Sequence, residues 1–462
     1  MKFGLEQHII DKLIAVFEQN SKVDKAIVFG SRAKGNYRPD SDIDIAIKGQ
    51  DLHTDDIIAM CVAFEEKGIT HKIDLINYDS INEPDLKDHI DRVGIELYSR
   101  WKEYRFSDFA LINPTISLKG NEEYSFVEMK DLKDGSKICS PSVKRKTSSG
   151  ARFQERDTLF ARITPCLENG KICQVRGLEN GIGFGSTEFL VFRGREYISD
   201  NDFVFYMSRW DDVRDFAENN FEGTSGRQRV PKNCFDNLIL DLPPLNEQTA
   251  IATILGSLDD KIDLLHRQNK TLEQLAETLF RQWFVAEAEE SWEVGTLDDI
   301  AVFSNGKSRP NGVENGKIPI YGGNGILGFT NQSNYEGLSI IIGRVGAYCG
   351  SLYLENKPIW LSDNALLTRG KRENFTFYLF YLLKSLELNS MAEGSSHPLL
   401  TQTLLKSIDI CIPSSQKVLD FNIQVSEFWN SINTNQNQIQ TLTNTRDTLL
   451  PKLMSGEIRI NL

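Results

Sequence analysis

Between Glu247 and Phe284, after the breaker Leu242-Pro243-Pro244, Ile262, Leu265, Asn269, Leu272, Ala276, Leu279 and Trp283 are spaced 3, 4, 3, 4, 3, 4. That spacing is the seam of a helix packed lengthwise on another helix. Towards the C-terminus Ile432, Asn435, Ile439, Leu442, Arg446, Leu449 and Leu453 repeat it. One offset superposes Thr441-Leu442 on Thr271-Leu272 and Thr448-Leu449 on Thr278-Leu279, which predicts an internal repeat. Two heptad helices alone fit self-association equally well, so the residues ahead of each helix decide between the readings.

Those residues repeat too. Phe160-Ala-Arg162-Ile163 and Ile342-Gly-Arg344-Val345 each read as an apolar strand, an arginine, a β-branched residue and a turn. Phe221-Glu-Gly223-Thr-Ser-Gly-Arg-Gln-Arg-Val230 parallels the stretch from Ala392 to Leu400, and Leu238-Ile-Leu-Asp-Leu-Pro243 parallels Ile408-Asp-Ile-Cys-Ile-Pro413. A globular module and its helix thus occur twice, and B-DNA is a pseudo-twofold target for such a duplicated chain.

The period changes to two near the N-terminus. A helix (Leu5 to Glu18) leads to the apolar strand Lys25–Phe29, then Gly30-Ser31-Arg32-Ala33-Lys34-Gly35 and Ser41-Asp42-Ile43-Asp44-Ile45-Ala46-Ile47. Residues two apart on a strand share a face, so Asp42 and Asp44 present two carboxylates to one point while the isoleucines face a core. Asp74, in the strand His71–Ile76, supplies a third. Convergent carboxylates hold hard divalent cations for phosphoryl or nucleotidyl transfer. Gly30 and Ser31 allow close approach to a phosphate, with the cations Arg32 and Lys34 nearby. A lone Asp-x-Asp is more often a solvated turn, but the strand before Gly30 and the later Asp74 tell against that here.

Length suggests roughly three domains of ordinary size. The net charge of −13 argues against indiscriminate polyanion binding, although the acidity lies mainly in the first hundred residues and the first long helix. Basic residues gather in loops of the two modules: Lys144, Arg145, Lys146, Arg162, Arg227, Gln228, Arg229 and Lys232 in the first, Lys307, Arg309 and Arg344 in the second. Arginine can pair bidentately with guanine and glutamine with adenine, whereas lysine mostly neutralises phosphate; for any one of them a solvated surface charge is the commoner role. Seven scattered cysteines without a close pair suggest a reducing compartment. With no apolar run near the ~20 residues that cross a bilayer, a cytoplasmic protein is expected.

Residues 1–100, through Gly30, Ser31, Gly35, Asp42, Asp44 and Asp74, resemble the minimal nucleotidyltransferase family related to DNA polymerase beta. The resemblance implies Mg²⁺ and a nucleoside triphosphate, with Asp42, Asp44 and Asp74 as catalytic metal ligands and Gly30 and Ser31 cradling phosphates. From about residue 105 onward the chain resembles the specificity subunits of type I restriction-modification enzymes. The matching stretches are FARITPCLENGK, GSTEF (Gly185 to Phe189), SGRQRV, PPLNEQ and LLPKLMSGEI.

Together the two resemblances imply an α+β multidomain chain, in which the N-terminal domain departs from the usual pattern of specificity subunits. A nucleotidyltransferase-like α/β domain (1–100) precedes two α+β target-recognition domains (101–245 and 291–412), and an antiparallel coiled-coil pair of spacer helices (246–290 and 413–462) joins them. Asn269 and Asn435 agree with that pairing as polar seam residues able to fix register. The second resemblance further implies that double-stranded DNA is read as a split site, and that two methyltransferase subunits and, through them, restriction-translocase subunits dock on the chain. The chain itself has neither a phosphate-binding P-loop nor an amino-methylase Asn-Pro-Pro signature. The alternatives are a Mg-dependent nucleotidyltransferase, moving a nucleoside monophosphate to a protein, RNA or small-molecule hydroxyl and targeted to DNA by the repeats, or a scaffold whose modules bind protein.

Overall fold

The computed structural model describes residues 2–224, 226–310, 316–393 and 398–460. The chain forms two compact units: Met1–Asp263 with Thr441–Leu462, and Leu264–Gln440. Each unit takes part of both long helices, Leu245–Arg281 and Ser415–Met454.

The first unit begins with a four-stranded sheet in the order Ile73–Asn77, Ile43–Gly49, Val23–Val28, Ile95–Ser99. Helices Gln7–Gln19 and Thr54–Glu66 contribute to its core, where Phe17 and Phe64 meet edge to face at 5.6 Å. Ile43, Ile45 and Ile47 are wholly buried, as the period of two requires. Ile43–Gly49 pairs in parallel with Ile73–Asn77, which sets Asp44 opposite Asp74. The chain does not loop after Val28: Gly30–Lys34 closes one turn of helix ending at left-handed Gly35.

The remainder of the first unit carries a five-stranded sheet in the order Ala110–Ile112, Phe189–Gly194, Thr158–Ala161, Ile172–Val175, Ile138–Cys139. The second unit has a sheet in the order Ala301–Asn305, Ala365–Gly370, Ser339–Gly343, Leu352–Glu355. The first four strands of the one correspond in order and connectivity to the four of the other. A helix follows the second strand of that order in each, Asn201–Arg209 and Thr376–Ser385. A closing strand, Ile239–Leu242 or Asp409–Ile412, pairs back onto the module's entry strand, Lys102–Arg105 or Glu293–Thr296. The duplication read from motif order is therefore a duplication of topology.

The first long helix starts against Pro243-Pro244, where Gln248 N–H donates to the Pro244 carbonyl at 3.0 Å. The Gln248 side chain donates to the carbonyls of Ile198 and Pro243 and accepts from Asp200 N–H. Beside it Glu247 is buried and receives Trp101 Nε1 and Arg100 Nε, each at 3.2 Å, with Arg459 at 3.6 Å stacking its guanidinium over Trp101. The Glu-Gln that opens the helix is a joint where three distant segments meet.

Within each unit the two helices run antiparallel. In the first, Ile251, Ala252 and Leu255 share a core with Leu450, Leu453 and Met454. One turn further along, Asp259 Oδ1 accepts from Arg446 at 2.6 Å while its Oδ2 accepts from Tyr206 at 2.7 Å, all three residues buried. In the second unit Asn435 donates to Asn269 at 2.8 Å, and Phe280 and Phe284 pack on Phe421 at 6.0 and 5.2 Å.

Replacing Asp259 by Ala leaves the buried Tyr206 phenol without its acceptor and Arg446 with only Asp447 as a carboxylate partner, and is expected to cost about 2–4 kcal/mol. Replacing the pair together, Asp259→Leu with Arg446→Met, is expected to recover only part of that loss, because the Tyr206 phenol stays without its acceptor. Denaturant midpoints of the two variants check both statements.

Candidate functional site: three carboxylates and two recognition edges

In the N-terminal sheet, Asp44 is half-buried and faces the turn at Gly30. A Cβ on Gly30 would lie 2.1 Å from Asp44 Oδ2, and the glycine holds φ +70°, so no other residue fits without displacing the carboxylate. Burial raises the Asp44 pKa above the ordinary carboxylate value, and the neighbouring negative charges of Asp74 and Asp42 raise it further. Asp42 is held at 2.7 Å by Lys72 Nζ, an ion pair that raises the lysine's own pKa. Asp74 is exposed. Among the described residues no three His, Cys, Asp or Glu side chains are gathered into a ready metal cage; with Asp42 turned to Lys72, the three carboxylates are neighbours rather than co-ligands.

Ser31 is half-buried and Lys34 exposed on the turn after Gly30. Arg32 differs from the sequence expectation of a nucleotide-facing cation. It is 2% exposed and donates to the carbonyls of Phe3, Ser41 and Asp42 at 2.7–3.2 Å. Its charge is spent on tethering the loop that carries Asp42.

In the first module, Arg162 follows its strand at the sheet's end. Arg162 N–H donates to Glu188 O at 2.9 Å, and its carbonyl accepts from Val230 N–H at 2.8 Å, which brings the Arg227 loop alongside. Its Nε is buried without a hydrogen-bond partner among the described residues. Arg227 is exposed, and the Gln228 main chain is tied to Thr164. Arg229 is gripped by Glu188 through Nε and Nη2 at 2.9–3.0 Å. Arg162, Arg227, Gln228 and Arg229 thus form one edge, and Lys232 is exposed just beyond.

Lys144, Arg145 and Lys146 lie instead on the strand Val143–Lys146 of a separate four-stranded sheet. Lys144 pairs with Glu179, and Arg145 pairs with Glu128 and lies over Phe126. The sequence offered no way to see that acidic partners already answer two of these cations.

The second module repeats the edge. Arg344 N–H donates to Asn364 O at 3.2 Å, and its carbonyl accepts from Leu400 N–H at 2.9 Å. The Arg344 Nε is again buried without a partner among the described residues. Lys307 and Arg309 are exposed, Arg309 donating to the Leu327 carbonyl. Gly394 to His397, the counterpart of the Gly223 loop, and Ser225 within that loop lie outside the described residues.

The family model for the type I restriction modification DNA specificity domain matches residues 98–274 and 289–444, most of the chain. The chain belongs to that family. Residues 11–103 match the family model of polymerase beta nucleotidyltransferases.

Among curated specificity subunits, that of the type I restriction enzyme EcoAI of Escherichia coli is 33% identical over 193 residues, 40% of this chain and 33% of the relative. The EcoEI subunit of Escherichia coli is 28% identical over 248 residues, 51% of this chain and 42% of the relative. The chain thus spans less than half the length of these two relatives. The crystal structure of a type I restriction-modification S subunit from M. genitalium aligns with a TM-score of 0.51 and 20% identity, covering 77% of this chain and 96% of that one. This likeness shows a shared specificity-subunit fold. Among the described residues no helix is long and apolar enough to cross a membrane.

Arg32→Met is expected to strip protection from the N-terminal sheet in amide hydrogen exchange, losing about 2–3 kcal/mol locally as buried carbonyls go unpaired. Lys34→Met, on the exposed side of the same turn, should leave protection unchanged.

Proposed function

We propose that this chain is the DNA-reading specificity subunit of a type I restriction-modification complex. Each of its two modules reads one half of a split site in double-stranded DNA. The observation that carries this reading is the recurrence of one recognition edge, arginine at a strand end with a loop bridged beside it, in both members of a duplicated fold. Loops held on a rigid sheet suit base-edge contacts, and a duplicated reader suits a two-part site. The partners are methyltransferase subunits, two of them on a duplicated scaffold, and restriction-translocase subunits, in the cytoplasm. Arg227, exposed and without an ion pair among the described residues, is assigned to DNA, as are Arg162 and Arg344 with their unpartnered Nε groups, Gln228, Arg229, Lys232, Lys307 and Arg309. Lys144, Arg145 and Lys146 are assigned to the phosphate backbone, which competes with the carboxylate partners of the first two.

A second reading, nucleotidyl transfer by the N-terminal domain, is favoured by the approach of Gly30 to Asp44 and the register of Asp44 with Asp74. The all-oxygen donor set of Asp42, Asp44 and Asp74 fits Mg²⁺, and a cation there would relieve the repulsion that raises the Asp44 pKa. These three residues would hold the metal, with Asp42 exchanging Lys72 for it, and Gly30, Ser31 and Lys34 would face the triphosphate. When bound, the metal would neutralise charge on the transferred phosphoryl group. Asp44 would orient the ligand shell, and Arg32 would keep the Asp42 loop in place from beneath.

The methylome of cells carrying this chain with its methyltransferase subunit is expected to show a split motif, and Arg227→Ala with Arg229→Ala should blur one half only. Absence of any split motif from an active, assembled complex would overturn the reading. In purified protein, Asp42→Ala with Asp44→Ala should abolish Mg²⁺-dependent binding of a nucleoside triphosphate while leaving DNA affinity unchanged. Retention of that binding in the variant would remove the second reading.

A further inference from the structure

The two modules share a frame but differ at one corresponding pair of residues. In the first, Arg162 N–H bonds the carbonyl of Glu188, and Arg229 bridges both Ile163 and Glu222. In the second, Arg344 N–H bonds the carbonyl of Asn364, and Leu399 bridges both Val345 and Glu393. Glu188 therefore corresponds to Asn364, and Arg229 to Leu399. The first module carries an ion pair where the second carries an amide and an isobutyl group.

A guanidinium has five N–H donors in a fixed plane. Glu188 takes Nε–H and one hydrogen of Nη2, and the Arg227 carbonyl accepts from Nη1 at 3.3 Å. One hydrogen remains on each terminal nitrogen, and the side-on grip of Glu188 leaves the one on Nη2 at the end of the guanidinium. The side chain is 42% exposed, so this pair is open to a ligand. Two parallel donors match the O6 and N7 acceptors of guanine in the major groove. The attached carboxylate cancels the arginine's charge, which weakens attraction to phosphate but leaves the directional donors intact.

We propose that Arg229, clamped by Glu188, reads a guanine in one half of the recognition site, and that the second module, with Leu399 and Asn364 at the corresponding positions, does not require guanine through this position. Glu188 is a positioning residue: it fixes the guanidinium plane without touching DNA. The inference rests on the reading of the chain as a DNA specificity subunit.

The test is the methylome of the assembled complex with Arg229→Ala, Arg229→Lys or Glu188→Gln, alongside binding to oligonucleotides varied one base pair at a time. Arg229→Ala and Arg229→Lys are expected to make one G·C position degenerate and to lower discrimination there by about 10- to 100-fold. The other half, unchanged, serves as the control for folding. Glu188→Gln should loosen the same position. Full definition of every position in Arg229→Lys would overturn the proposal, as would a uniform loss of affinity across all sequences, the signature of a phosphate contact. A wild-type complex without a split motif would instead sink the specificity reading itself.

Discussion

The structure depends on the register between two antiparallel helices, and polar groups set that register. Apolar seams tolerate a slip of one heptad, since leucine replaces leucine. Asp259 and Arg446 do not tolerate it, because a slip would leave the Asp259 carboxylate buried without its counter-ion. In the other unit the hydrogen bond between Asn269 and Asn435 imposes the same condition. Each unit thus carries its own check on alignment.

Much of this frame was legible in the order of residues. The heptads, the duplicated strand-arginine motifs and the alternation around Asp42 and Asp44 are periodic signals, and periodicity survives folding because it expresses which side chains share a face. Side-chain partnership was not legible. Arg32 reads as a phosphate-side cation from its neighbours Gly30 and Ser31, yet it is buried among carbonyls supplied by Phe3 and Ser41. Arg446 occupied a seam position on the heptad, but its partner Asp259 lies far away in sequence. Glu188 sat within a motif, GSTEF, whose chemistry emerges only when the loop carrying Arg229 folds beside it. Close pairs between distant segments need tertiary structure to be seen.

The recognition edges separate what is shared from what varies. The main-chain hydrogen bonds at Arg162 and Arg344 recur in both modules, and they place no demand on side-chain identity at 188, 229, 364 or 399. A fold built this way changes the chemistry at its tip without disturbing its base, since backbone bonds bear the architecture while exposed side chains bear selectivity.

The joint at Glu247 has a consequence in time as well as in space. Its carboxylate sits between Trp101 and Arg100, which leave the ribosome before it, and Arg459, which leaves long after. Until that late segment folds back, Trp101 has no cation over its ring and Glu247 has only one of its two arginines. The seating of the N-terminal domain on the helix base is therefore completed by residues made after both modules, so a chain ending just short of Arg459 would lack the cation that closes this joint.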